Sequence, residues 1–178
     1  MIDAEISVAT AEEMRELGRR LGCVLKAGDL VILSGGLGAG KTTLTKGIGD
    51  GLGVRGPITS PTFVIARVHP PVAVVPGPPP GPALVHVDAY RLGSALELDD
   101  LDLDTDVASA VTVVEWGEGL AEGLSADRME VTIASVAADG AVAADAEEDD
   151  IPRTVRVLAV GERWEGINLP LLGLANRL

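Results

Sequence analysis

The chain has 178 residues, inside the ~100–200 expected of one domain, so one compact core is expected and two full domains are not. With 47% hydrophobic and 23% charged residues and a mean hydropathy of +0.30, a wholly disordered chain is excluded. The formal net charge is −13, and residues 92–178 hold five bases and nineteen acids against nine and eight in residues 1–91. Such a surface repels phosphate backbones, which disfavours tight unaided binding to nucleic acid, stable DNA binding included, and favours a basic partner surface.

The single cysteine, Cys23, excludes an internal disulfide and reads as a small buried apolar residue on a helix, in keeping with a reducing compartment. The chain opens with Asp3 and Glu5 instead of a basic region and an apolar run. No stretch approaches the ~18 apolar residues of a membrane span, so a cytoplasmic protein without membrane contact is expected.

In chain order, Thr10 followed by Glu13 has the spacing of a capping box and predicts a helix over 11–25, with Leu17, Leu21, Val24 and Leu25 as its apolar stripe. Residues 30–33 form a short apolar run that meets a glycine cluster, and 42–52 predict a second helix ended by Gly51-Leu52-Gly53. Further strand-like runs lie at 63–68, 83–87, 111–114, 129–136 and 154–160. The alternation of strands and helices indicates an α/β domain. Two segments read as tolerated surface loops: 70–82, which holds seven of the eleven prolines, and 137–150, rich in Ala, Gly and acids.

Between the first apolar run and the second helix stands Gly35-Gly36-Leu37-Gly38-Ala39-Gly40-Lys41-Thr42, which satisfies the P-loop pattern in the structural context that pattern requires. Its glycines let successive N–H groups converge on phosphate oxygens at the positive end of the following helix. Lys41 is positioned to reach the β and γ phosphates of a nucleotide, Thr42 to give its hydroxyl to Mg²⁺, and Thr43 to reach the α phosphate. A P-loop also needs an acid at the end of a neighbouring strand. Asp88 ends the run 83–87 and Glu115 ends 111–114, both at the strand ends where ligands bind in open α/β sheets.

Ser60 and Thr62 flank Pro61 ahead of a strand, an arrangement that can sense a γ-phosphate or form only a turn. Of the four aromatic residues, Phe63, Tyr90 and Trp116 each fall within three positions of one of these sites. His69 and His86 have no Cys or His at ligand spacing and read as structural. The acids of 97–106 read as a solvated face or a docking surface.

Neighbouring nucleotide machines fit less well. Guanine recognition needs an Asn/Thr-Lys-x-Asp segment, and the only lysines are Lys26, Lys41 and Lys46, none in that pattern. Leu33-Ser34-Gly35-Gly36 imitates a transporter signature but overlaps the P-loop itself. A small-molecule kinase needs an arginine-rich lid, whereas Arg91 is followed by six acids without a base. That alternative, and a nucleotide-gated binding module, stay open.

Four ordered blocks carry a more specific resemblance: Gly38-Ala39-Gly40-Lys41-Thr42-Thr43, Ser60-Pro61-Thr62-Phe63, His86-Val87-Asp88-Ala89-Tyr90-Arg91 and Val114-Glu115-Trp116. Over residues 7–135 the chain resembles the bacterial TsaE (YjeE) ATPases of tRNA threonylcarbamoyladenosine biosynthesis. The resemblance implies a P-loop NTPase-like single α/β domain over 1–178 with a central mixed β-sheet flanked by helices. It also implies ATP and Mg²⁺ as cofactors, weak ATPase activity, and TsaD and TsaB as partners, with tRNA reached only through the complex. Thr42 and Glu115 match metal-binding positions, Asp88 the Walker B acid, Ser60 and Thr62 the switch-like loop, and Trp116 the aromatic after the metal-binding Glu. Thr10 matches the start of the helix beside the adenine. The family usually has Asp where Gly36 stands, and the loops at 70–82 and 137–150 are unusual for it.

Overall fold

The computed structural model describes residues 2–61, 65–73, 77, 79–92, 94, 97, 108–135 and 151–167. Seven strands, β1 (Ile2–Val8), β2 (Leu30–Gly35), β3 (Ala66–His69), β4 (Ala83–Asp88), β5 (Ala110–Glu115), β6 (Arg128–Ser135) and β7 (Arg153–Val160), form one sheet in the order β1-β7-β6-β2-β5-β4-β3. The central strands β6, β2, β5 and β4 run parallel; β7 pairs antiparallel with β6 and β3 antiparallel with β4, while the edge strand β1 pairs antiparallel with β7 and so runs in the direction of the central strands. The sheet is therefore mixed, as expected. Its central strands β2 and β5 are almost wholly buried, which explains why they read as unbroken apolar runs.

One sheet face carries Val31, Leu33, Leu84, Val111, Val113, Met129 and Val131 and packs against helices α1 (Ala11–Gly22) and α2 (Lys41–Leu52). The opposite face, with Leu30, Ile32, Val85, Val87 and Val114, is covered among the described residues by Ala89, Leu92, Leu120, Ala121 and Leu124. The expected flanking helices thus lie on one face only among these residues. The period-2 alternation of β4 and β5 has a functional result: His86 and Asp88 follow Leu84, and Glu115 follows Val113, all on the helix-bearing face.

Thr10 caps α1 as expected. Its hydroxyl accepts from the Glu13 N–H at 3.1 Å while the Glu13 carboxylate accepts from the Ala9 N–H at 2.7 Å. The helix ends at Gly22 instead of residue 25, with Cys23 as its C-cap, and Gly18 and Gly22 lie where α2 crosses too closely for any side chain. A Cβ at Gly18 would collide with the Leu44 carbonyl, and one at Gly47 with the Arg15 carbonyl.

Cys23 corrects an expectation. It caps the C-terminus of α1 and is exposed, since position 23 lies about 200° around the helix from the inward-facing Leu21. Strand β1 was not foreseen, although Ile2, Ala4, Ile6 and Val8 alternate inward against β7. The run expected at 63–68 is β3, displaced to Ala66–His69. Thr62, Phe63, the acids Asp99, Asp100, Asp102 and Asp104, and the loop 137–150 lie outside the described residues.

Candidate functional site

Strand β2 runs straight into the glycine loop, and the loop into α2. Gly35, Gly38 and Gly40 have φ of 145°, 74° and 107°, a region that side-chain-bearing residues seldom adopt. Gly40 is the N-cap of α2 and provides no side-chain cap, so the first-turn N–H groups face the cleft without a side-chain acceptor. The cleft has a volume of about 590 Å³ and is walled by the loop, by Ala11 and Met14 of α1, and by Ser60, Asp88, Tyr90, Glu115, Trp116 and Arg153.

Lys41 lies inside the curl, 5% exposed. Its Nζ donates to the carbonyls of Gly35 at 2.9 Å and Gly36 at 2.8 Å, and sits 3.6 Å from the Trp116 ring centroid. Burial lowers its pKa from the ordinary lysine value, and the charges of Glu115 and Asp88 oppose that shift.

The two acids arrive by register. Asp88 and Glu115 are direct partners on the parallel strands β4 and β5, and both are buried. The Thr42 hydroxyl donates to the Glu115 carboxylate at 2.9 and 3.1 Å. Asp88 accepts from the Ser60 hydroxyl at 3.2 Å and from the Tyr90 N–H at 3.0 Å. Lys41, Thr42, Asp88, Glu115 and Ser60, separated by up to 74 positions in the chain, therefore meet in one cleft.

His86, read as structural, touches this set: its Nε2 lies 2.7 Å from the Glu115 Oε1, and the ring is fully buried. The neutral tautomer with Nε2 protonated donates to the carboxylate and leaves Nδ1 buried without a partner among the described residues.

The oxygen donors Thr42, Glu115 and Asp88 fit Mg²⁺, which takes one or two protein oxygens and keeps waters and phosphate oxygens for the rest. An all-protein metal cage is a different arrangement, and no cluster of three His, Cys, Asp or Glu residues suited to one occurs among the described residues.

Gly36 and Leu37 stand at the exposed tip of the loop, Leu37 at 93% exposure. A Cβ at Gly36 would meet nothing within 4 Å. Thr10 itself serves as a helix cap, and the cleft wall is formed by its neighbour Ala11 and by Met14. Arg153, which no motif in the sequence singled out, lines the cleft from β7. Its sequence signal is an arginine at the first inward-facing position of a strand whose other inward positions, Val155, Val157 and Ala159, are apolar.

A glycine loop between a central strand and a helix, facing two carboxylates on adjacent strand ends, defines a P-loop NTPase-like protein. Comparison with known proteins narrows this. Residues 8–141 match the family described as Threonylcarbamoyl adenosine biosynthesis protein TsaE. A tRNA threonylcarbamoyladenosine biosynthesis protein TsaE of Streptomyces coelicolor is 56% identical over 160 residues, covering 89% of this chain and 99% of that one. Those of Mycobacterium tuberculosis and Bacillus subtilis are 57% identical over 131 residues (70% of this chain, 75% of that one) and 34% over 155 (86% and 84%). The crystal structure of Bacillus subtilis YdiB superposes with a TM-score of 0.65 at 27% identity, covering 92% of this chain and 90% of that one. The chain belongs to the TsaE family of threonylcarbamoyl adenosine biosynthesis proteins. No helix among the described residues is long and apolar enough to cross a membrane.

Proposed function

We propose that the protein binds Mg·ATP in the P-loop cleft and hydrolyses it slowly alone and faster with TsaD and TsaB, as a cytoplasmic participant in threonylcarbamoyladenosine modification of tRNA. The observation that carries this reading is the meeting of Lys41, Thr42, Asp88 and Glu115 in one cleft at the N-terminus of α2.

The residues divide the work. Backbone N–H groups of 38–43 receive the phosphates. Lys41 exchanges its two carbonyl partners for phosphate oxygens and neutralises charge developing on the γ-phosphoryl group. Thr42 and Glu115, hydrogen-bonded to each other, would hold Mg²⁺ directly or through water, and Asp88 would orient water. When bound, the metal supplies further charge neutralisation on the phosphate oxygens. Ser60, already linked to Asp88, couples the loop that contains Thr62 to the occupancy of the site. TsaD and TsaB complete the site with a group of their own, and tRNA is engaged only through that complex.

The test is ATP turnover by the purified protein with and without TsaD and TsaB, alongside Glu115→Ala. Stimulation by the partners that falls by 100-fold or more in Glu115→Ala, a magnitude on the order of what loss of one charge-stabilising group costs, is the expected result. Fast partner-independent transfer of phosphate to a small acceptor would replace this reading with a kinase. ATP-dependent association without turnover would replace it with a nucleotide-gated binding module.

A further inference from the structure

Strand β4 buries an imidazole inside an apolar run: His86 stands between Val85 and Val87, and its ring is 0% exposed. It shares the helix-bearing face with Leu84 and Asp88 and pairs with Val113 of β5. Glu115, two residues further along β5, is therefore its diagonal neighbour on that face, one side-chain layer nearer the strand ends. The cleft wall includes Glu115 and Asp88 but not His86, so the ring reaches the site only through the carboxylate.

Burying a polar ring is costly unless its nitrogens find partners. Nε2 lies 2.7 Å from the Glu115 Oε1, whereas Nδ1 has no partner among the described residues. An unprotonated Nε2 at that distance would set its lone pair against a carboxylate oxygen, so the proton of this contact sits on Nε2 and the ring donates. A residue that only filled this position would gain from being apolar, as its neighbours in the strand are. The one hydrogen bond His86 makes among the described residues goes to a member of the site.

The other donor to Glu115 is the Thr42 hydroxyl, at 2.9 and 3.1 Å, and Thr42 is itself a cation donor in the reading above. His86 holds the carboxylate from the protein interior instead, and at Oε1 alone.

Resting on the reading that Glu115 serves the divalent cation of a bound nucleotide, we infer that His86 is a positioning residue for that cation site: its Nε2–H pins the Glu115 Oε1 from behind and keeps the carboxylate turned to the cleft. A carboxylate already fixed loses less rotamer freedom on taking up a cation, and outer-shell donors of this kind contribute roughly 10–100-fold to metal affinity.

The cation's contribution can be read separately from the nucleotide's. Titration calorimetry of the full chain with a non-hydrolysable ATP analogue, in EDTA and in Mg²⁺, gives two dissociation constants whose ratio is the gain due to the cation. In His86→Leu, which fills the space without a donor, that gain is expected to fall about tenfold while binding in EDTA stays within about twofold of the parent. His86→Asn, whose amide stops short of Oε1, gives the same loss with a polar side chain. His86→Gln, whose amide nitrogen falls near the place of Nε2, restores most of the gain. In a Glu115→Ala background His86→Leu changes nothing further, because its effect passes through that carboxylate. Urea unfolding shows whether each variant is folded, and where Leu is not, the Asn and Gln pair carries the comparison.

Parallel weakening in EDTA and Mg²⁺, or no recovery in His86→Gln, would make His86 a packing residue and overturn the inference. So would variants that all fail to fold, or an undiminished gain in His86→Leu where Glu115→Ala has lost it. A parent protein whose affinity for the analogue ignores Mg²⁺ would instead remove the cation reading of Glu115, and this inference with it.

Discussion

Trp116 occupies φ 61°, a conformation that costs an L residue roughly 1–3 kcal/mol and persists where the surroundings enforce it. Here they are visible. Its N–H donates to the Leu33 carbonyl at 2.9 Å, Tyr90 packs against it with ring centroids 5.0 Å apart, and Lys41 lies over its face. The strained turn aims the ring at the P-loop lysine directly after Glu115 leaves β5. A second residue shows what burial does away from the cleft. His69 is 4% exposed with its Nε2 unpartnered among the described residues, and burial, aided by the nearby His86, holds its pKa below the ordinary histidine value. A folded-state pKa below the unfolded one means the unfolded chain binds more protons. Stability from this group is therefore present above about pH 6.5 and is lost as pH falls from there through the folded-state value. The urea midpoint is expected to drop between about pH 7 and pH 5, and His69→Gln to flatten that part of the profile. An equally steep profile in the variant would assign the effect to other groups.

At the scale of elements, the P-loop is placed by a helix crossing made of glycines. Gly18 and Gly22 of α1 meet Gly47 and Gly51 of α2, and a Cβ at any of the four would collide with backbone of the other helix. Close contact lets α1 lie beside the glycine loop, so that Met14 and Ala11 form a cleft wall. The exposed Arg15–Asp50 pair across the same crossing, at 2.6 Å, adds little because solvent screens it. Gly47→Ala separates propensity from packing. In an isolated helix it would stabilise by up to ~1 kcal/mol, whereas in this crossing overpacking is expected to destabilise by about 1–3 kcal/mol, read as a lower denaturant midpoint with an unchanged slope. A gain in stability would mean the helices can move apart without cost.

At the scale of the whole molecule, a net charge of −13 concentrated after residue 91 favours association with a basic surface and makes that association dependent on salt. If TsaD and TsaB are the partners, as proposed, replacing Asp99, Asp100, Asp102 and Asp104 by Asn is expected to weaken their capture severalfold at low salt, with the difference shrinking as salt rises. Unchanged capture at low salt would place the docking surface elsewhere. The fold closes over long separations in the chain. β1 pairs with β7, and the guanidinium of Arg163 reaches back to the buried Asp29 at 2.8 and 2.9 Å and to the Val24 carbonyl at 3.0 Å, tying the end of the described chain to the turn before β2.

The P-loop, the capping box at Thr10 and the acids ending β4 and β5 were legible in the sequence, because each follows from local chemistry: glycine freedom, a side chain satisfying a helix end, and a polar residue after an apolar run. The resemblance to the TsaE family was legible too, since it rests on the order of such local blocks. Tertiary structure decided the rest. Whether Asp88 and Glu115 share a cleft depends on strand register, the role of His86 on which face its strand presents, and the place of Arg153 on an antiparallel pairing 115 residues from Gly38. β1 has the alternation of a strand, but its partner stands some 150 positions away. Cys23 faces solvent because α1 turns its glycines and leucines inward. These are matters of pairing and rotation between distant segments, and local sequence carries no term for them.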